Sequence, residues 1–459
     1  MPFSLSLWSR QSRRLLHLTG PILVGQLAQT GISATDTIMA GRYGADDLAA
    51  IGIAASFWLP IYLFFVGLFM ATTTLVAHCF GARDMLAVRR QFQQSIWLAV
   101  ILVLPAIVLM NSVGLLVERL GVEPEVAQLS RDYLAYLSAG IPAALLFLCL
   151  RGLGDGIGQT GLMMRVLIAG FIINFPLNYL FIYGKFGAPE LGGAGCGLAT
   201  AGVLWCQLLL MLYLVSRQEI MRKGQLWADW RRPSGHSIGQ LVKLGFPIGM
   251  TLVAEISIFA VIAVVIAPLG TDVIAGHQVA MSVTAVCFMV PLSNSIAMTI
   301  ACGQYLGAGK FRLAGFTVIT GFSLGVLSAL ITLVLLIGWR YQVAGIYTDD
   351  AAVIAVAGGL LVFAAIYQIP DAIQVSAIGA LRAHKDTRVS FWLAILGYWV
   401  ITMPIGISLA RGYLGLPNLG ASGMWIGLVI GLTTAAILQT FRYAWVQRYK
   451  PAGAQLNHS

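Results

Sequence analysis

Three carboxylates stand inside long apolar runs of a chain that otherwise keeps its acids at the ends of such runs: Asp36, Glu255 and Asp371. Their surroundings read ISATDTIMAG, TLVAEISIFA and YQIPDAIQVS. An ionisable group deep in a bilayer costs at least a few kcal/mol, so it is expected to face a wet cavity and to mark an ion or substrate path. Tyr367 precedes Asp371 by four residues, which on a helix places phenol and carboxylate on one face. A tyrosine oxygen beside two acids is suited to a proton or a small cation such as Na+. The alternative is a pair of protonated acids that tie helices together by hydrogen bonds. Asn174 and Asn178 repeat the same four-residue spacing in GFIINFPLNYLF, and Thr200 follows in the next apolar run. Buried amides need partners. These are expected either to face the interior that Asp36 faces or to act as links between helices.

The elements that must carry these residues follow from composition. Of 459 residues, 58% are hydrophobic and only 10% charged. A soluble chain carries about 25% charged residues, so this composition belongs to an integral membrane protein. A net charge of +10 raises the question of nucleic acid, but the basic residues are dispersed in short loops with no basic stripe or stacking array. Six cysteines, mostly inside apolar runs, read as buried thiols rather than a disulfide framework.

Apolar stretches fall at about 15–40, 47–79, 93–117, 131–150, 163–184, 194–216, 238–268, 273–305, 314–339, 352–379, 389–410 and 420–446. Each is long enough to cross a bilayer at about 20 residues per crossing, which predicts twelve transmembrane helices. The first is too long for the apolar core of a signal peptide and is expected to be retained. Twenty-two of the 28 Lys and Arg residues then fall on the side of the termini. By the positive-inside rule both termini are expected in the cytoplasm, and the protein in a bacterial inner membrane.

The chain also repeats itself. At an offset of 226, Pro21 matches Pro247, Gly44 matches Gly270, Asp46 matches Asp272 and Thr73 matches Thr299; at 228, Pro189 matches Pro417 and Gly195 matches Gly423. The expected organisation is two pseudo-symmetric six-helix lobes, residues 1–230 and 231–459, with a polar basic linker from about 217. Even numbers of spans give both lobes the same orientation, the arrangement of transporters built from parallel repeats. Prolines recur within the spans, and Pro370, next to Asp371, is placed to free a backbone oxygen for a cation.

The glycine run GLGDGIG at 152–158 lacks the Lys-Ser/Thr ending of a phosphate loop and reads as a flexible cytoplasmic turn. The six histidines are too scattered for a metal site, and no nucleophile elbow is visible.

The segments PILVGQLAQTGISATDTIMAG, FPLNYLFIYGKFGAPELGGAGCGLATA, LGFPIGMTLVAEISIFAV, APLGTDVIAGHQVA and FAAIYQIPDAIQVSAIGALRA resemble the MATE (multidrug and toxic compound extrusion) family, specifically its NorM branch. The resemblance spans essentially the whole chain. It implies an all-α protein of two six-helix lobes forming an outward-opening V. It further implies export of organic cations, without a cofactor, driven by inward Na+ or H+, and a protein acting as a monomer. Carried over position by position, it places Glu255, Asp371 and Tyr367 at a C-lobe cation site with Phe288 on its aromatic wall. Asp36, Asn174 and Asn178 fall on an N-lobe polar cluster. A lipid-linked saccharide flippase of related architecture is the alternative within transport. Its anionic cargo would favour a cationic cavity, whereas no Lys or Arg is central in the spans and three acids are. A membrane-embedded enzyme is the alternative outside it.

Overall fold

The computed structural model describes residues 5–119, 121–415 and 417–449. Lys450 and His458, counted above among the basic residues and histidines, lie outside them. The described residues are helices joined by short loops, with no strand among them. In chain order the helices are α1 (Leu5–Tyr43), α2 (Ala45–Gly81), α3 (Met85–Val117), α4 (Pro124–Ser138), α5 (Ile141–Gly156), α6 (Thr160–Ile182) and α7 (Gly193–Arg217). After the short α8 (Glu219–Lys223) come α9 (Gly235–Ile266), α10 (Thr271–Gly307), α11 (Phe311–Gly345) and α12 (Ala351–Ala383). The last are α13 (Thr387–Ile395), a π-helical stretch (Leu396–Thr402), α14 (Met403–Arg411) and α15 (Ala421–Tyr449).

All twelve apolar stretches are helical. Among the described residues ten helices are long and apolar enough to span, and α4 with α5, bent by 49°, makes an eleventh. The twelfth stretch is α1, 39 residues long, which falls short only in apolarity because Gln26, Gln29, Thr30, Ser33, Thr35 and Asp36 interrupt it. Helices of this length need no amphipathic face, since the bilayer itself obliges each backbone polar group to bond within its own segment.

Pro21, Pro60, Pro105, Pro176, Pro247, Pro291 and Pro370 all lie inside continuous helices. The break expected at a proline occurs at Pro142, which opens α5 at the α4–α5 bend. Helix α12 therefore runs unbroken through Pro370 to Asp371.

The chain divides into two compact units, residues 21–249 and residues 250–459 together with 1–20. In the first unit, α2 to α7 enclose an apolar core around Phe69, Phe92, Leu137 and Phe147. The opening turns of α9 belong to it: a methyl group at Gly67 would stand 2.4 Å from the Gly249 Cα, so these helices touch backbone to backbone. The linker is fastened to α3, where Gln93 donates to the carbonyls of Leu226 and Ala228 and Trp97 to that of Arg231.

In the second unit α9 to α15 enclose a core around Ile262, Leu361, Tyr398 and Trp425. The opening turns of α1 belong here. Trp8 donates to Ser323 at 3.2 Å, Gln11 to the Tyr305 hydroxyl at 3.0 Å, and Arg14 to Gln304 at 2.6 Å. The first helix is thus built into the fold.

The glycine run at 152–158 is helical over most of its length and turns only at Ile157 and Gly158. Gly152, Gly154 and Gly156 are buried in α5, and side chains at Gly152 and Gly156 would collide with Thr72 and Val76 of α2. Small residues there let two helices approach closely.

Candidate functional site

Two polar pockets stand out, one in each unit. In the first unit α1 carries Asp36, α6 carries Asn174 and Asn178 one turn apart, and α7 carries Thr200. Asp36 Oδ1 accepts from Asn174 at 2.9 Å and from Asn178 at 2.5 Å, and Oδ2 accepts from Thr200 at 3.1 Å. Asn178 also donates to the Asn174 carbonyl oxygen at 3.2 Å. Asp36, Asn174 and Asn178 are buried. The structure brings together all four residues that the sequence set apart, with the two asparagines on one face of α6. Nearby, the Cys196 thiol approaches the Asp36 carbonyl at 3.8 Å.

A bound carboxylate surrounded by neutral donors has lost water but kept hydrogen bonds. The Asn178 side-chain oxygen is buried and takes no bond. That pocket therefore retains acceptor capacity beyond what the protein itself uses.

The second pocket is acceptor-rich in a different way. Asp371 on α12 is fully buried, and neither of its oxygens has a hydrogen-bond partner. Glu255 on α9 follows Ala254, whose carbonyl accepts from Trp399, while the neighbouring Tyr398 accepts from Gln374 on the Asp371 helix. Tyr367, one turn before Asp371 and also buried, packs edge-on against Trp425 of α15 with ring centroids 6.4 Å apart. Trp425 in turn donates to Nδ1 of His277 on α10 at 3.2 Å. Here too the sequence-selected residues come together. Phe288 is half-buried on α10 and joins none of the ring contacts of this cluster among the described residues.

Sequence reasoning passed over several members of this pocket. His277 was set aside as one of six scattered histidines, yet it orients Trp425 behind Tyr367. Gln374, three residues past Asp371 on the same helix face, donates to the Tyr398 hydroxyl at 2.8 Å. Its spacing from Asp371 was a legible signal; the partnership with Tyr398 was not. No three His, Cys, Asp or Glu side chains gather among the described residues as a transition-metal ligand set would. The donors present, carboxylate, phenol and amide oxygens, are those of a hard cation or a proton.

The model of the MatE family matches residues 21–180 and 247–407, one match in each half of the chain. The chain belongs to the MatE family. Among curated proteins, this MatE chain is 40% identical over 440 residues to a probable multidrug resistance protein NorM of Shewanella oneidensis, covering 96% of each. It is 39% identical to multidrug resistance protein NorM of Photobacterium profundum, again over 96% of each chain. The multidrug resistance protein MdtK of Yersinia pseudotuberculosis is 39% identical over 443 residues, 96% of this chain and 97% of its own.

Solved structures share the fold. A eukaryotic MATE transporter, AtDTX14, superposes with a TM-score of 0.87 at 18% identity, covering 98% of both chains. An outward-facing multidrug resistance MATE transporter gives 0.86 at 20% identity, covering 95% of this chain and 97% of its own. This MatE protein is accordingly a multi-pass membrane protein of a transporter family, and the enzyme alternative falls away with that membership.

Proposed function

We propose that this chain is a secondary antiporter that expels apolar organic cations from a bacterial cell in exchange for Na+ or H+. The observation that carries the reading is Asp371: fully buried, with both oxygens without a partner. Two carboxylates in a low-dielectric interior resist double ionisation, so the pair takes up a proton or shares a cation. Tyr367 supplies a phenol on the same helix face. The names of the curated relatives, multidrug resistance proteins, support the drug-export half of the reading.

Ion entry drives export when ion and drug each weaken the binding of the other, and that antagonism is reciprocal at equilibrium. The Asp36 pocket is a second acidic place for an ion or a cationic drug. We assign both termini to the cytoplasm of an inner-membrane protein, on the distribution of Lys and Arg.

The test is efflux of a fluorescent organic cation from proteoliposomes holding the purified protein, with sodium and pH gradients imposed separately. Efflux that follows one of the two gradients, and stops when that gradient is collapsed, is the expected result. Efflux indifferent to both gradients would overturn the reading.

A further inference from the structure

The two halves of the chain differ by one residue at a place that bears on the second pocket. Gly170 in α6 is matched by Gly397 at an offset of 227, whereas Pro176 is matched by Pro404 at 228. Packing supports both registers. A methyl group at Gly170 would strike Gln207, and one at Gly397 would strike Ala435, which lies 228 residues after Gln207. Further along, Gly195 abuts Phe181 and Gly423 abuts Leu409, both at an offset of 228. One extra residue has therefore entered the second half between Gly397 and Leu409.

The structure absorbs it as the π-helical stretch Leu396–Thr402, where the first half has the uninterrupted α6. A π turn holds an additional residue without breaking the helix, and such bulges recur at functional sites. Close approach seats it, for a methyl group at Gly431 of α15 would lie 2.5 Å from the Gly397 carbonyl oxygen.

Two consecutive residues of this stretch grip the two acid-bearing helices. The Tyr398 hydroxyl accepts from Gln374, three residues beyond Asp371 on α12, at 2.8 Å. Trp399 donates to the carbonyl of Ala254, the residue before Glu255 on α9, at 3.3 Å. Tyr398 is 2% exposed, while its counterpart in the first half, Phe171, is 40% exposed and has no hydroxyl. Gln374 is fully buried, and its side-chain oxygen, like both oxygens of Asp371, has no hydrogen-bond partner. Three buried unpartnered oxygens on one helix face want a proton or a cation.

We infer that Tyr398 and Gln374 belong to the ion site: the phenol and amide oxygens are neutral ligands that complete the shell around the ion held by Asp371 and Glu255. Trp399 is a positioning residue that holds the Glu255 helix at the right distance. This rests on the reading that the two acids hold the coupling ion. It adds to it a ligand pair created by an insertion found in only one half of the repeat.

The test measures binding of ethidium to the purified protein in nanodiscs, with sodium titrated at fixed alkaline pH and acid titrated without sodium. The wild type gives a midpoint at which the effective ion displaces the dye. Asp371→Asn tests the underlying reading and is expected to abolish the displacement. Tyr398→Phe, which keeps the ring, and Gln374→Leu are expected to move the midpoint by about tenfold in ion concentration, the size of one lost oxygen contact to a charged group. Each midpoint is read against the variant's own ion-free dye affinity, so a defect in dye binding alone does not register as a shift. Midpoints of both variants within about twofold of wild type, with displacement lost in Asp371→Asn, would sink this inference and leave the antiport reading standing. Undiminished displacement in Asp371→Asn would sink both.

Discussion

Asn178 donates to Oδ1 of Asp36 at 2.5 Å, while its own side-chain oxygen is buried without a partner. With Asn174 on the same oxygen and Thr200 on the other, Asp36 is held by three neutral donors from two other helices. Asp36→Asn sets an amide donor against those donors. Asn178→Ala removes one bond and leaves the carboxylate less well solvated, at a cost of about 1–3 kcal/mol. Both substitutions should lower dye efflux, and Asn178→Ala should also lower the unfolding midpoint in detergent. Unchanged unfolding and unchanged efflux for Asn178→Ala would mean that the pocket is neither built nor used as described.

For the second pocket, Asp371→Asn and Glu255→Gln preserve shape and remove charge. Each is expected to abolish gradient-driven efflux while the purified protein remains folded and still binds dye. Asp371 has no hydrogen bond to lose, so the asparagine variant should lose little stability. Normal ion-driven efflux by the double variant would shift the coupling role to Asp36.

Substrates should be monovalent, apolar cations. Buried carboxylates attract positive charge, so a cation is favoured over its neutral or anionic isostere. Matched cationic, neutral and anionic analogues, compared for efflux from the same proteoliposomes, should rank in that order. Equal rates across the series would contradict it.

Gln225 and Asp349 are exposed and are predicted to lie on opposite faces of the membrane. Single cysteines placed there in a cysteine-free variant should react with an impermeant maleimide from the inside and the outside respectively. Reaction of both in intact cells would overturn the assigned orientation.

Backbone contact between α2 and α9 gives a test of the fold alone. Gly67→Ala places a methyl group 2.4 Å from Gly249, whereas Gly52, on the same helix, has no atom within 4 Å of the corresponding position. Overpacking costs about 1–3 kcal/mol, so Gly67→Ala should unfold at visibly lower temperature. Gly52→Ala should match or exceed the wild type, because alanine favours helix over glycine by about 1 kcal/mol.

Some of the site was readable before any packing was known. Asp36, Glu255 and Asp371 announce themselves because an acid in an apolar run is costly wherever that run folds. Tyr367 with Asp371, and Asn174 with Asn178, follow from helical spacing. Thr200 stands without a helical-spacing partner in its run, and the 3.1 Å bond to Asp36, across 164 residues, gives it one. Tyr398 and Trp399 gave no signal, because the extra residue that shapes their stretch is invisible until the two halves are superposed by their contacts. The run at 152–158 misled in the other direction: its four glycines suggested a turn, and the structure buries three of them in α5 and turns only at Ile157 and Gly158.

What the sequence alone determined was that the chain is built of long apolar helices, that it matches one family model twice, and that acids stand within its apolar runs. Each of these depends on residue type and on separation along one chain, which the bilayer reads directly. The tertiary structure decided which side chains meet. A helix apolar on all sides carries no stripe to say which face turns inward, so its rotation is set by close packing and by polar groups finding partners. That is why the opening turns of α1 joined the second unit, why Tyr398 reached Gln374, and why His277 came to stand behind Trp425.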